Sequence, residues 1–133
     1  NNKTVSAEQL QIKRSLSGKS LEIEKKIFSE VEERLRAFQR TPEYIEYLCG
    51  KIRKDREFAK DSEILFYLDA SDEGIREQVE KASGVQILIA EEKIGGGLLA
   101  TIEARNILLD DSFRTMLAEE RESFILEGGH VYE

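Results

Sequence analysis

The stretch from Ile94 to Leu117, IGGGLLATIEARNILLDDSFRTML, leaves little choice of local structure. Gly95, Gly96 and Gly97 free the backbone to take positive φ, so the chain can reverse there at small steric cost. After them, Leu98, Ala100 and Ile102 alternate with Leu99 and Thr101, the period of a pleated strand. Glu103, Ala104, Arg105 and Asn106 are polar or small enough to turn, and Ile107, Leu108 and Leu109 form a second short apolar run. Asp110, Asp111 and Ser112 can each accept a hydrogen bond from the free N–H groups of a helix starting at Phe113, a cap worth about 1 kcal/mol. One continuous segment therefore predicts strand, turn, strand, cap and helix.

Upstream, residues 3 to 40 hold no Pro, a single Gly at Gly18, and a high density of helix-favouring Glu, Lys, Arg, Gln and Leu. A continuous helix of that length would span about 55 Å. Val5, Leu16, Ile27 and Phe38 are spaced eleven apart, as are Ile12 and Ile23, and Leu10 and Leu21. Val5, Ile12, Leu16, Ile23, Ile27, Val31 and Phe38 fall in one stripe roughly 100° wide. An eleven-residue period winds a partner helix with a right-handed supercoil. The stripe could lie on the chain's own core, as in any amphipathic helix. A helix longer than a globular part of radius near 13 Å needs would overhang, and another helix would then have to cover it. Gly18, Lys19 and Ser20 leave one turn of the stripe without an apolar side chain.

Thr41-Pro42-Glu43 breaks this helix and starts the next, with Pro42 at a first helical position and Thr41 placed to cap. It divides a helical segment, residues 1–40, from a globular part, residues 41–133. Residues 43 to 60 predict a helix burying Tyr44, Ile45, Leu48, Cys49 and Ile52. Residues 63 to 69 are apolar enough for a strand covered on both faces. Ser71, Asp72 and Glu73 can cap a helix that ends at Ser83-Gly84, and residues 85 to 90 make a second strand. Strand, helix, strand at this spacing predicts a parallel pair. The expected fold class is α+β: a long N-terminal helix, then a small mixed four-stranded sheet packed against helices, the last running from Phe113 to about Leu126 and returning beside the first.

Composition narrows function more than it names it. The net charge of -7 over 133 residues opposes non-specific nucleic-acid binding. One cysteine allows no internal disulfide, which suits a reducing, cytoplasmic setting. No run approaches the roughly 20 apolar residues of a membrane span. The lone Cys49 and the lone His130, close to the end of the chain, are a poor catalytic pair. Adjacent acids at Glu91-Glu92 and Asp110-Asp111 point apart on a strand and read as capping or solvated groups. The glycines precede a strand with no Lys-Ser or Lys-Thr after them, so they lack the phosphate-binding loop pattern. No catalytic, cofactor or metal residues are expected; an enzyme or nucleotide-binding module is the disfavoured reading.

Gly96 and Gly97, the two short strands, and Asp110, Asp111, Ser112, Phe113 and Leu117 around the helix start resemble the C-terminal head of the E subunit of archaeal and vacuolar-type rotary ATPases. Asp111 stands where the family usually has Asn, Met116 stands where an Arg is common, and a turn glycine often found between the strands is absent. The resemblance implies a non-catalytic peripheral-stalk subunit, a stator that resists rotor torque. Its helix would pair with a helical stalk subunit of the G or H type, and its head would bind the N-terminal region of a B subunit in the nucleotide-binding hexamer. It further implies a cytoplasmic position peripheral to the membrane, only indirect association with the membrane subunit, and a stalk helix continuing upstream of Asn1. The alternative is a self-associating stator protein of the flagellar or type III secretion kind that regulates an export ATPase.

Overall fold

The computed structural model describes the backbone of residues 7–123 and side chains from residue 22 onward. Among the described residues four α-helices and four strands follow in the order α1 (Ala7–Phe38), α2 (Pro42–Ala59), β1 (Leu65–Leu68), α3 (Arg76–Ser83), β2 (Ile87–Ile89), β3 (Gly97–Ile102), β4 (Ile107–Ser112) and α4 (Phe113–Ser123). The class is α+β, with one mixed sheet of order β2-β1-β3-β4. The chain divides into two compact units, Arg34–Leu117 and a helical unit of residues 7–33 with 118–123.

In the larger unit β1 pairs parallel to β2 and antiparallel to β3, while β3 and β4 form the hairpin. Alternation decides the core face. Phe66, Leu68, Ile87, Leu98, Ala100 and Ile102 are all at most 2% exposed, and the first five of them cluster with Tyr44, Leu48 and Ile52 of α2 and Val79 of α3. The opposite face carries Leu65, Tyr67, Leu88, Leu99 and Leu108, which are half-buried or exposed. β1 is therefore fully buried on one face only, and the expectation of a strand covered on both is corrected: Leu65 and Tyr67, the other half of its apolar run, are half-buried on the open face.

Three local differences from the sequence reading have physical causes. β4 runs on to Ser112, three residues past its apolar run, because an edge strand with one open face tolerates Asp110 beside Leu99 in the register. Helix α3 starts at Arg76, after a 3-10 turn at Ala70–Ile75 that Asp69 caps through the Ser71 N–H. Asp72, read as a cap, is instead buried. Thr41 precedes α2 as expected, but its hydroxyl donates back to the Phe38 carbonyl at 2.7 Å and leaves the new helix without a side-chain cap. Pro42 sits in the first turn, and Gly84 ends α3 at φ 75.

Candidate functional site

Gly95, Gly96 and Gly97 take φ of 77, 118 and 81, and a buried set of polar side chains fixes the path they make possible. Tyr44, in the first turn of α2, donates its hydroxyl to Asp72 Oδ2 at 2.6 Å and accepts the Gly97 N–H at 2.8 Å. Gln39 donates to both oxygens of Asp72, at 3.0 and 3.3 Å. Asp69 Oδ1 accepts the N–H groups of Ile94 and Gly95 at 2.8 and 3.3 Å, and its Oδ2 takes the N–H and hydroxyl of Ser71. The start of α4 closes the loop from the other side: the N–H groups of Phe113 and Arg114 donate to the carbonyls of Gly96 and Ile94. Space is short. A Cβ on Gly96 would lie 2.5 Å from Gln39 Nε2, and one on Gly97 would lie 2.5 Å from the Asp111 carbonyl oxygen.

Burial pushes the Tyr44 hydroxyl well above the ordinary tyrosine range, and the hydrogen bond to Asp72 pushes the same way. Burial likewise raises Asp72, although the bonds from Tyr44 and Gln39 oppose it. In Asp69 burial is outweighed by the Ser71, Ile94 and Gly95 donors, which hold the carboxyl below its usual value. These polar groups are spent on placing the glycine loop. Sequence reasoning found the loop and the buried Tyr44 but not Asp69, Asp72 or Gln39, since Asp and Ser after a strand read equally as a helix cap.

The residues at the hairpin's end divide their roles. Asp110 accepts the N–H and hydroxyl of Ser112 at 2.9 and 2.6 Å and the Thr115 hydroxyl at 2.7 Å. Its carboxyl is lowered because these donors outweigh its burial. Ser112 Oγ accepts the Thr115 N–H at 3.3 Å, so Ser112 caps α4. Asp111 faces α2 and lies 3.8 Å from Lys51 Nζ. Phe113 is buried among Tyr44 and Tyr47, Leu117 is half-buried and Met116 is exposed.

Of the stripe residues, Val5 lies outside the described residues, as do the side chains of Ile12 and Leu16. Ile23 and Ile27 are 52% and 37% exposed, and Val31 is half-buried. Phe38 packs edge-on to Tyr44 and Tyr47, with ring centroids 5.5 and 5.8 Å away. The buried side of the helical unit was not foreseen. Glu24 and Phe28 are 3% and 8% exposed, and Arg121 of α4 meets both, at 3.3 Å from the Glu24 carboxylate and 5.7 Å from the Phe28 ring centre. Their i, i+4 spacing was the available signal.

Cys49 is half-buried on α2, with its thiol raised chiefly by burial, and His130 lies outside the described residues. Glu91 and Glu92 are exposed, Glu92 approaching Arg114 at 3.5 Å. Among the described residues no three His, Cys, Asp or Glu side chains converge as metal ligands would, and no helix is long and apolar enough to cross a membrane.

What the geometry defines is a small α+β unit whose buried polar groups secure its own glycine loop, in a chain whose first helix shows isoleucines to solvent. No family model matches the chain. It is similar to the E subunit of the A-type ATP synthase of Pyrobaculum neutrophilum, 24% identical over 79 residues that make up 59% of this chain and 42% of that relative. The chain thus spans about two-fifths of the relative's length.

Proposed function

We propose that the chain is a non-catalytic subunit of the peripheral stalk of an A-type or V-type rotary ATPase. Val5, Ile12, Leu16, Ile23, Ile27 and Val31 of the stripe pair with a helical subunit of the G or H type, while Phe38, its last member, packs on Tyr44 and Tyr47 instead. The globular part, residues 41–133, binds the B subunit of the nucleotide-binding hexamer, so that the pair resists rotor torque on the cytoplasmic side, bound to the membrane only through other subunits. The observation that carries this reading is the exposure of Ile23 and Ile27, four residues apart on one side of α1. Two such side chains are normally covered by a neighbouring helix, because packing supplies most of a helix's stability. The similarity to the E subunit of an ATP synthase supplies the kind of complex.

Mixing the chain with an equimolar helical stalk subunit should give a 1:1 heterodimer in sedimentation and a gain in helicity. The double substitution Ile23→Glu and Ile27→Glu should abolish pairing while the larger unit still melts cooperatively. An unchanged sedimentation coefficient on mixing would refute the pairing. A stable homodimer of the chain alone in light scattering would favour the self-associating export-ATPase stator instead.

A further inference from the structure

The end of α2 has a backbone conformation that its sequence makes uncomfortable. Lys60 closes the helix at φ 54 and ψ -114, its N–H bonded to the Arg56 carbonyl at 3.0 Å. Glycine takes positive φ without penalty, and α3 ends that way at Gly84. A lysine kept in a strained position is a reason to ask what its side chain does.

That side chain borders a cleft of about 490 Å³ between the end of α2 and the approach to β1. Half-buried Ile64 gives the cleft its apolar patch, with the core residue Ile52 behind it. Arg53, Arg56 and Lys60 stand around it against one carboxylate, Glu57. None of the three cations is ion-paired among the described residues. A cation in the last turn of a helix favours the helix dipole, which accounts for Arg56. It does not account for Arg53, further back in the helix, or for the backbone of Lys60. On a chain of net charge -7 this is a local reversal of sign.

We propose that this cleft docks an acidic segment of a partner protein, with carboxylates on Arg53, Arg56 and Lys60 and one aliphatic or aromatic side chain on Ile64. Charge complementarity selects the acid, and the Ile64 patch selects a peptide over a free inorganic anion, which would leave that side chain uncovered. A bilayer is a poor match, since a flat anionic surface would meet a concave site on an acidic chain. The cleft lies within Arg34–Leu117 and does not involve the stripe on α1, so either proposal can fail without the other.

The test is a titration of the isotope-labelled full chain with a blocked heptapeptide of five glutamates and two leucines, followed by amide chemical shifts. Saturable shifts confined to residues 52–64, weakening with salt, are expected. Lys60→Gly should raise the thermal midpoint by relieving the backbone and weaken the peptide about tenfold; Arg53→Glu should weaken it similarly at an unchanged midpoint. A purely structural Lys60 would give the first effect without the second. Equal binding of a peptide with lysines for glutamates, unaltered binding by Lys60→Gly, or no saturable shift would overturn the proposal. So would saturation of the same amides by inorganic phosphate, or binding to phosphatidylserine vesicles without binding to the peptide.

Discussion

Replacing Tyr44 by Phe removes one oxygen and tests the polar set that holds the glycine loop. The Tyr44 hydroxyl accepts the Gly97 N–H at 2.8 Å and donates to Asp72 at 2.6 Å, and both bonds are buried. Stranding a buried N–H costs about 1–3 kcal/mol, and a bond to a charged acceptor contributes about 1.5–3 kcal/mol. Gln39 still serves Asp72 in the variant, so the expected loss is about 3 kcal/mol near pH 7. That is a large share of the roughly 4–13 kcal/mol available to a unit of this size. Urea unfolding should show a midpoint lower by about 1–3 M, and exchange of the Gly97 amide hydrogen should accelerate. The pH dependence gives a second, independent reading. Burial already raises Asp72, and Tyr44 opposes that rise. Without the hydroxyl the folded-state pKa climbs further above the unfolded value, so the folded variant holds extra proton in that range and loses stability as pH increases. The deficit relative to wild type should accordingly be smaller at pH 4 than at pH 7. A loss below 0.5 kcal/mol, or a deficit that grows on acidification, would refute the argument.

Gly97→Ala should cost about 3–5 kcal/mol or prevent folding, since it adds positive-φ strain to a Cβ placed 2.5 Å from the Asp111 carbonyl oxygen; thermal melts would show it. Asp55, 5% exposed on α2 with one unpartnered oxygen, is pushed up to about 6 by burial and by Asp111 of β4, against the opposing pull of Lys51 and Lys54. Stability should therefore fall as pH rises from about 4 to about 6. Asp55→Asn should flatten that slope and add about 1–2 kcal/mol at pH 7, and an unaltered pH profile of the urea midpoint would count against it.

The hairpin was legible because two signals agreed: three glycines forced a reversal, and Leu98, Ala100 and Ile102 alternated onto one face. Pro42 marked the junction of α1 and α2 just as plainly. Asp72 was not legible, because an acid after a strand carries the same composition whether it caps a helix or meets a tyrosine 28 positions away. The buried side of α1 was hidden for a related reason. Ile23-Glu24 and Ile27-Phe28 offer two overlapping faces, and among the described residues Arg121, 97 positions from Glu24, distinguishes them. In both cases the deciding partner is distant in sequence, where periodicity carries no information.

The position of β1 in the middle of the sheet sets an order of events during synthesis. It pairs with β2 on one side and β3 on the other, and both come later in the chain. Strand β3 ends roughly 35 residues after β1, so a ribosome needs about 2–7 s to supply both neighbours. Once β4 has followed, the β3–β4 hairpin closes in microseconds. Leu65–Leu68 has two open strand edges until β2 is complete and one until β3 is complete, and α2 is the completed helix of the same unit available to shield it from other nascent chains.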